Sequence, residues 1–160
     1  KTSGHLHQSQ FFREILKNKE GPPPEINLFN EKNNGLLINT LILNKLLNSV
    51  HDISSGGILV SLTEMCISGK MGAKVQIPKN RSNPFEYLFG EDQSRYLIEV
   101  SKKNIDKVTK ILEENSIYFE IIGNTQKDNL DVNKYFSEKI SDLDEINSTW
   151  FENYYDESKK

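Results

Sequence analysis

The sequence predicts an α+β fold in which helices cover a mixed β-sheet. Two observations support this class. Segments of strand and helix character interleave along the 160 residues, and their order lacks the strict β-α-β period of a doubly wound parallel sheet. The length predicts a single domain over residues 1–160, which can bury roughly two thirds of its unfolded surface without disulfides.

The first half of the chain predicts two helices before the first strand. Residues 8–16 fit a short helix, and the proline run at 22–24 fits an extended connector. Asn30 is expected to cap a second helix over about 31–47. Apolar residues nearly encircle the end of that helix, which predicts deep packing. Residues 49–53 then fit a short strand.

The second half alternates strands and helices more closely. The pair Gly56-Gly57 opens a helix to about residue 68, in which Cys66 is expected to be buried. Asn104 is expected to cap a later helix, and Trp150 to anchor the last helix in the core. The other predicted elements are strands at 73–77, 95–101, 117–122 and 130–132, a polar loop at 78–84, a helical turn at 85–88 and a disordered tail at about 152–160.

Composition excludes several classes of protein. The net charge of −3 argues against a general nucleic-acid binder, which carries a basic surface. No apolar run approaches the ~20 residues that span a bilayer, and no signal peptide opens the chain. The single Cys66 excludes an internal disulfide and fits a reducing compartment. We therefore expect a cytoplasmic protein. We also expect a domain excised from a longer enzyme, because a start at Lys1 without Met is typical of one.

The first candidate site is the turn that contains His51, Asp52, Ser54, Gly56 and Gly57. Two glycines at a strand-to-helix turn let the backbone approach a ligand, and the first N–H groups of a helix attract phosphate. Asp52 could hold a metal or a ribose hydroxyl, and His51 could donate to a phosphate oxygen. The pattern equally fits a plain tight turn with Asp52 or Ser54 as a helix cap. The residues alone leave both interpretations open.

The second candidate site is the string that contains Glu91, Asp92, Gln93 and Arg95. Carboxylates suit Mg²⁺ or sugar hydroxyls, and Gln93 suits an amide or hydroxyl contact. Arg95 could pair with a carboxylate or a phosphate. The alternative is a solvated acidic turn with the Arg95 stem lying over the sheet.

Two further features carry weaker signals. His5 and His7 invite a zinc interpretation, but no cysteine or acid lies at ligand spacing, so Gln8 and Ser9 as caps of the first helix are favoured. Cys66 lies on the apolar stripe of its helix, which favours an inert buried thiol over a nucleophile. These two features therefore add no metal ligand and no nucleophile to the candidate sites.

Taken in order, the motifs resemble one family. They are Gly-His-Leu-X-Gln-Ser, Phe-Arg-Glu-Ile, Glu-Gly-Pro-Pro-Pro, Val-His-Asp-Ile-Ser-X-Gly-Gly and Phe-Gly-Glu-Asp-Gln-X-Arg-Tyr. This order resembles the last domain of the large subunit of phosphoribosylformylglycinamidine synthases, over residues 4–123 and loosely beyond. The resemblance implies the C-terminal-domain fold of the aminoimidazole ribonucleotide (AIR) synthetase superfamily.

The resemblance also implies an activity. Enzymes of this family are ATP- and Mg²⁺-dependent ligases of purine biosynthesis. They convert formylglycinamide ribonucleotide, ATP and glutamine into formylglycinamidine ribonucleotide, ADP, phosphate and glutamate. The large subunit repeats an N-domain and a C-domain twice, and this chain is similar to the second C-domain. The implied partners are the N-terminal domains of the same polypeptide, a glutaminase subunit and a small accessory subunit. Because the family's catalytic histidine and main Mg²⁺ acids lie in the N-domains, the isolated domain is expected to be inactive.

The family further implies roles for single residues. In the first C-domain the counterpart of Glu91-Asp92-Gln93 holds the ribonucleotide, so ligand contact is implied here for the same three side chains. The second copy faces a related cleft that holds a structural nucleotide in some members. Two departures indicate weaker binding: His7 stands where the family usually has Gly, and Ser55 where it usually has Asp.

Two other functions remain open at this point. The domain could be a structural module with a vestigial pocket. It could also belong to a sister enzyme such as thiamine-monophosphate kinase, selenophosphate synthetase or the hydrogenase-maturation dehydratase, although these lack the second candidate motif. Under the favoured hypothesis, the glycine turn after His51 and the string ending in Arg95 form one wall of a ligand cleft. We also expect an excised domain to expose an apolar docking patch and to self-associate.

Overall fold

The computed structural model describes residues 2–78 and 83–157, without the side chains of residues 156 and 157. In chain order the elements are a π-helical turn Phe11–Ile15, α1 Leu28–Leu43, β1 Ser49–Asp52, α2 Gly57–Gly69, β2 Gly72–Val75, α3 Pro84–Phe89, β3 Tyr96–Glu99, α4 Ile105–Glu114, β4 Gly123–Gln126, β5 Asn129–Val132, β6 Phe136–Lys139 and α5 Ile140–Glu157. The predicted α+β class is confirmed.

The described residues form two compact units. The first contains the chain up to Leu62 and from Asn83 to Ile121, and the second contains Thr63–Pro78 and the chain from Ile122 onward. Helix α2 contributes to both. The prediction of a single domain over residues 1–160 stays a prediction.

The first unit is built on an antiparallel pair of strands and two helices. Strand β1 pairs with β3, so that Asp52 lies opposite Tyr96. The ladder is extended by a hydrogen bond of 2.9 Å from the Ile53 amide to the Arg95 carbonyl. A core from α1, α4 and their flanks lies in the same unit and contains Leu41, Leu46, Val108 and Leu112. This frame holds the two ends of the candidate site side by side.

The second unit contains a four-stranded mixed sheet in the order β4-β2-β5-β6. Strands β2 and β5 are parallel, and the other two pairs are antiparallel. The buried residues alternate along the central strands, as a half-buried sheet requires. They are Ala73, Val75, Leu130 and Val132. Ile140 is also buried, and it attaches the first turn of α5 to this core.

Helix α1 differs from its prediction in start and in packing. It begins at Leu28 and is capped by Asn27, whose side chain accepts a hydrogen bond of 2.9 Å from the Asn30 amide. Deep packing was the wrong expectation, because only Leu41 is buried while Leu43 is 73% exposed. Apolar residues all around a helix do not specify which face a core will cover, and here the core covers one stripe.

One strand prediction also fails, and two strands, β4 and β6, were not predicted. Residues 117–122 form no strand, because Ile117 and Phe119 pack on the helical core of the first unit instead of entering a ladder. The next strand, β4, begins only at Gly123, and β6 was not predicted. Asn104 precedes α4, but its side chain does not cap the helix. The side-chain amide of Asn104 donates instead to the Leu46 carbonyl at 3.2 Å.

The ends and the remaining elements give a mixed result. Cys66 is buried as predicted, whereas Trp150 is 58% exposed and anchors no core. Helix α5 continues to Glu157, so residues 152–157 are helical where a disordered tail was expected. Residues 79–82 of the predicted loop and 158–160 of the tail lie outside the described residues. In the part of the chain that the structure describes, no helix is both long and apolar enough to cross a membrane.

Candidate ligand-binding site

The glycine turn joins β1 to α2 in a conformation that side chains rarely adopt. Gly56 has φ +82° and Gly57 has φ +68°, both in the left-handed region. A Cβ on Gly57 would lie 2.6 Å from the Leu88 carbonyl oxygen and 2.8 Å from that of Gly90. The turn therefore packs directly against the backbone that leads into the second candidate motif, and only glycine fits there.

Glu91 links the two candidate motifs by its carboxylate. Its Oε1 accepts a hydrogen bond of 2.7 Å from the Gly56 amide and another of 2.8 Å from the Gln10 amide. The sequence left open an anion site at the N-terminus of α2, and the carboxylate of Glu91 supplies a negative charge there from within the chain. The turn, the N-terminal segment and the acidic string are thus joined at one oxygen atom.

Asp92 and Arg95 lie behind this link and are almost inaccessible, with exposed fractions of 7% and 8%. Thr2 Oγ1 donates to Asp92 Oδ2 at 2.6 Å, and Ser3 Oγ donates to Asp92 Oδ1. Arg95 donates from Nη2 to the Gly90 carbonyl at 2.5 Å and from Nε to the Asp92 carbonyl at 3.0 Å. Both side chains therefore hold the protein's own backbone and N-terminal segment.

The ionisation of this pair follows from its surroundings. Burial alone would raise the pKa of Asp92, but hydrogen bonds from Ser3 and Thr2 and the charge of Arg95 outweigh it and lower that pKa. Burial lowers the pKa of Arg95, and the charge of Asp92 opposes the shift. The closest approach of the charged groups, from Arg95 Nη2 to Asp92 Oδ2, is 3.8 Å. Asp92 therefore stays ionised in the folded chain.

The remaining predicted residues lie at the surface of the same region. Ser54 and Gln93 are exposed, and the Asp52 side chain is 68% exposed. His51 is half-buried, and its Nδ1 lies 2.6 Å from the Asp52 carbonyl oxygen. Burial raises the pKa of Tyr96, which pairs with Asp52 across the strands, and the charges of Glu31 and Asp52 add to that shift. The groups that remain open to a ligand are thus those of Asp52, Ser54 and Gln93.

The structure brings the two predicted motifs together, as a single cleft wall requires. The residues of the two motifs differ in their exposure and in their contacts. Gly56, Gly57, Asp92 and Arg95 are internal, Glu91 binds two backbone amides, and the other members face outward. Whether the outward-facing members bind a ligand stays a prediction.

Sequence reasoning missed the residues that support the site from a distance. Thr2 and Ser3 bond to Asp92 across about ninety positions. Ser94 donates to Glu31 Oε2 at 2.5 Å, and Asn34 donates to the Ser94 carbonyl at 2.8 Å. A hydroxyl or amide side chain carries no signal that names its partner, so the motifs gave no indication of these contacts.

The N-terminal segment contains His7, one of the two positions at which the sequence departs from the family pattern. The His7 ring lies against Gly21, where φ is +93° and a Cβ would stand 2.4 Å from His7 Nδ1. Ser9 caps the π-helical turn as predicted, because its Oγ accepts from the Phe12 amide at 3.2 Å. Gln8 does not cap and donates instead to the Lys19 and Gly21 carbonyls. Among the described residues, no three His, Cys, Asp or Glu side chains come together as a metal site.

Comparison with known families gives a match over most of the chain. Residues 3–133 match the model described as AIR synthase related protein, C-terminal domain. A curated relative, the phosphoribosylformylglycinamidine synthase subunit PurL of Pelagibacter ubique (strain HTCC1062), is 51% identical over 154 residues. The subunit of the same name from Rhodospirillum rubrum is 36% identical over 153 residues. These matches cover 96% of this chain but only 21% and 20% of the relatives.

Solved structures show the same fold. T. maritima PurL complexed with FGAR aligns with a TM-score of 0.68 and 17% identity, over 84% of this chain and 24% of that one. T. maritima PurL complexed with ATP aligns with a TM-score of 0.61 and 17% identity, over 71% and 21%. PurLQS from Thermotoga maritima aligns with a TM-score of 0.66 and 18% identity, over 86% and 24%. At such identities the likeness establishes the fold alone.

Proposed function

The chain belongs to the family of AIR synthase related proteins, C-terminal domain, and on this premise we propose that it forms one C-terminal domain of a phosphoribosylformylglycinamidine synthase large subunit. The chain spans about a fifth of the length of the curated relatives that it matches. The proposed reaction therefore belongs to the whole polypeptide. It consumes formylglycinamide ribonucleotide, ATP and ammonia from glutamine, and the isolated domain is expected to be inactive.

One observation carries the proposal for the site. The Gly57 turn and the backbone at Leu88 and Gly90 approach each other too closely for any side chain, and Glu91 bonds to the Gly56 amide. Two motifs separated by more than thirty residues are thus held as one surface. Asp52, Ser54 and Gln93 project from this surface and, with His51, are the groups we propose to contact a ligand.

The cofactors ATP and Mg²⁺ are proposed for the full enzyme. A solved relative is described as complexed with ATP, which supports the nucleotide. No Mg²⁺ ligand is proposed from this chain, and the Glu91 carboxylate is engaged by two backbone amides. Asp52 could still bind a ribose hydroxyl through its exposed carboxylate.

The proposed partners are the N-terminal domains of the same polypeptide, a glutaminase subunit and a small accessory subunit. The relative from Thermotoga maritima whose structure is described as PurLQS supports an assembly of this kind. We propose a cytoplasmic location, because the chain has a single cysteine, the buried Cys66, and this sparing use of cysteine fits a reducing compartment. No nucleic acid or membrane is proposed as a partner.

The activity is tested with the whole polypeptide that contains this chain. ADP formation would be measured with ammonium ions, ATP and Mg²⁺, in the presence and absence of formylglycinamide ribonucleotide. We expect ADP to form only when the ribonucleotide is present, and glutamine to replace ammonium once the glutaminase and accessory subunits are added. ADP formation that ignores the ribonucleotide would refute the proposed substrate.

A second function is favoured by a specific contact. Because Glu91 already supplies a negative charge to the amides at the start of α2, this copy of the domain could serve as a structural module with a filled pocket. Ser55 in place of the usual acid is consistent with that role. The two functions differ in one measurable quantity, which is the number of nucleotides bound per polypeptide.

Titration calorimetry with ADP and Mg²⁺ on the whole polypeptide separates them. Asp52→Ala removes an exposed carboxylate, and Asp106→Ala on α4 is the matched control outside the candidate site. If this copy binds a nucleotide, Asp52→Ala reduces the stoichiometry by one while Asp106→Ala leaves it unchanged. An unchanged stoichiometry in both variants favours the structural module.

A further inference from the structure

Helix α5 carries a face that the family domain does not account for, since the match ends at residue 133. Its first turn is attached by the buried Ile140, but the later turns expose large apolar side chains. They are Ile146 at 67%, Trp150 at 58%, Phe151 at 60%, Tyr154 at 67% and Tyr155 at 53% exposed. Ile146, Trp150 and Tyr154 follow each other at intervals of four residues and so lie along one side of the helix. We refer to these five residues as the aromatic face.

All the charged residues of α5 are acidic. The helix sequence has no Lys or Arg and contains six acidic residues, namely Asp142, Asp144, Glu145, Glu152, Asp156 and Glu157. A symmetric contact between two copies would bring these like charges together, which opposes self-docking of this helix. The complementary surface is an apolar groove edged by Lys and Arg side chains.

The size of the aromatic face indicates how that groove is presented. Aromatic side chains bury about 150–250 Å² when fully covered. The exposed parts of the four rings and of Ile146 therefore offer roughly 600 Å². A stable complex of separate proteins buries about 800 Å² on each partner. A smaller contact suffices when both surfaces belong to one chain, because tethering keeps their effective concentration in the millimolar range. The relatives that this chain matches are about five times longer, which leaves ample polypeptide to supply the groove.

We propose that the aromatic face of α5 docks into a basic-edged apolar groove on another part of the same polypeptide. This proposal rests on the proposed function only in that it needs the longer polypeptide of which this chain would be a domain. Trp150 and Tyr154 lie at the centre of the contact, where rings give large contact area at low cost in side-chain entropy. The acidic residues of α5 give the helix its negative charge.

Thiol labelling of the whole polypeptide tests this contact. Tyr154→Cys places a thiol on the aromatic face, and Glu145→Cys places one nine residues earlier, which is two and a half turns away on the opposite face. Labelling by a water-soluble maleimide would be read by peptide mass spectrometry, with the urea-unfolded protein as the rate reference. We expect position 154 to react at least about tenfold more slowly than position 145 in the polypeptide alone, and to react faster when salt is raised to about 1 M.

Each other outcome contradicts the proposal in a recognisable way. Equal labelling of both positions means that the face is open. Protection that rises with protein concentration points to a second copy, and protection that needs the added glutaminase or accessory subunit points to another protein. Protection that ignores salt contradicts the basic edge. Ribonucleotide-dependent ADP formation, measured on the same preparation, reports separately on the proposed function.

Discussion

The Asp92–Arg95 centre and the aromatic face of α5 depart from ordinary burial in opposite directions. Two charged side chains are less than a tenth exposed in the first, whereas five large apolar side chains are more than half exposed in the second. Burying charge is costly unless it is paired and hydrogen-bonded, and exposing a contiguous apolar surface is uncommon without a partner. In the first region Thr2 and Ser3 satisfy the Asp92 carboxylate from within the chain, although Arg95 Nη1 is buried without a hydrogen-bond partner. The second is completed, in our proposal, from outside it.

This difference separates two kinds of side chain. A variant in the buried centre acts on the stability of this chain, because every partner of the altered group belongs to the chain itself. A variant on the aromatic face leaves the chain's own stability unchanged and acts on docking. Four predictions test this separation by urea unfolding of the chain.

Gly57→Ala is expected to have the largest effect. The new Cβ would meet the Leu88 and Gly90 carbonyls, and alanine at φ +68° is strained in addition. We expect the free energy of unfolding to fall by about 3 kcal/mol or more. Gly69→Ala in the same helix is the matched control, because nothing lies within 4 Å of its Cβ position, and it should be neutral or slightly stabilising. Equal losses in both variants would show that the turn is not tightly packed.

Asp92→Asn should follow in magnitude. The neutral amide leaves the buried Arg95 without its counter-charge and weakens the bonds from Thr2 and Ser3. We expect a loss of about 2–3 kcal/mol in the free energy of unfolding. The control is Asp131→Asn on β5, whose carboxylate also accepts hydrogen bonds, from Gln126 and Ser137, but is less buried than that of Asp92. A loss at position 131 as large as that at 92 would contradict the role of burial.

The same carboxylate gives the chain a specific dependence on pH. The pKa of Asp92 is lower in the folded chain than in the unfolded one, so its contribution is complete above the unfolded pKa of about 4. It is lost as the pH falls through the still lower pKa of the folded state. The difference in the free energy of unfolding between the parent chain and Asp92→Asn should therefore be constant from about pH 5 to 7. It should shrink below about pH 4. Urea unfolding of both chains across this pH range measures it. A difference that grows on acidification would reverse the sign of the argument.

Ile146→Ser on the aromatic face should have the smallest effect. The side chain is 67% exposed, so its removal should change the free energy of unfolding of this chain by less than about 0.5 kcal/mol. Val132→Ser in the sheet of the same unit is the buried control and should cost several times more, because Val132 is fully buried. A large loss at position 146 would mean that the aromatic face already packs within this chain.

The features that the sequence predicted well are those encoded by neighbouring residues. Helices α2 and α4 and strand β3 follow local periodicity and turn residues, and they appear close to their expected positions. The convergence of the two candidate motifs was also predicted, and the bond from the Gly56 amide to Glu91 bears it out. That prediction came from the family resemblance and the order of the motifs, because spacing alone fitted plain turns equally well.

The features that failed depend on partners far along the chain. Residues such as Phe119 have strand propensity, but their packing against α1 and α4 decided their structure. Trp150 has the spacing of a core residue, and spacing identifies an apolar face without saying which surface covers it. The ligand contact of Asp92 was implied by the family resemblance and that of Arg95 by its chemistry, and both stay predictions. The burial of the two side chains became visible only once Thr2, Ser3 and Gly90 were located beside them.

The segments of the two units alternate along the chain, and this order has a consequence for biosynthesis. Strand β2 pairs on one edge with β4 and on the other with β5, and both partners lie about fifty residues downstream. During translation β2 therefore emerges with two open edges and keeps them until the ribosome has made the intervening part of the first unit. At a few to about twenty residues per second, that interval lasts several seconds. Slow codons after residue 75 would lengthen it, and nascent chains of this protein should be most prone to aggregate in that window.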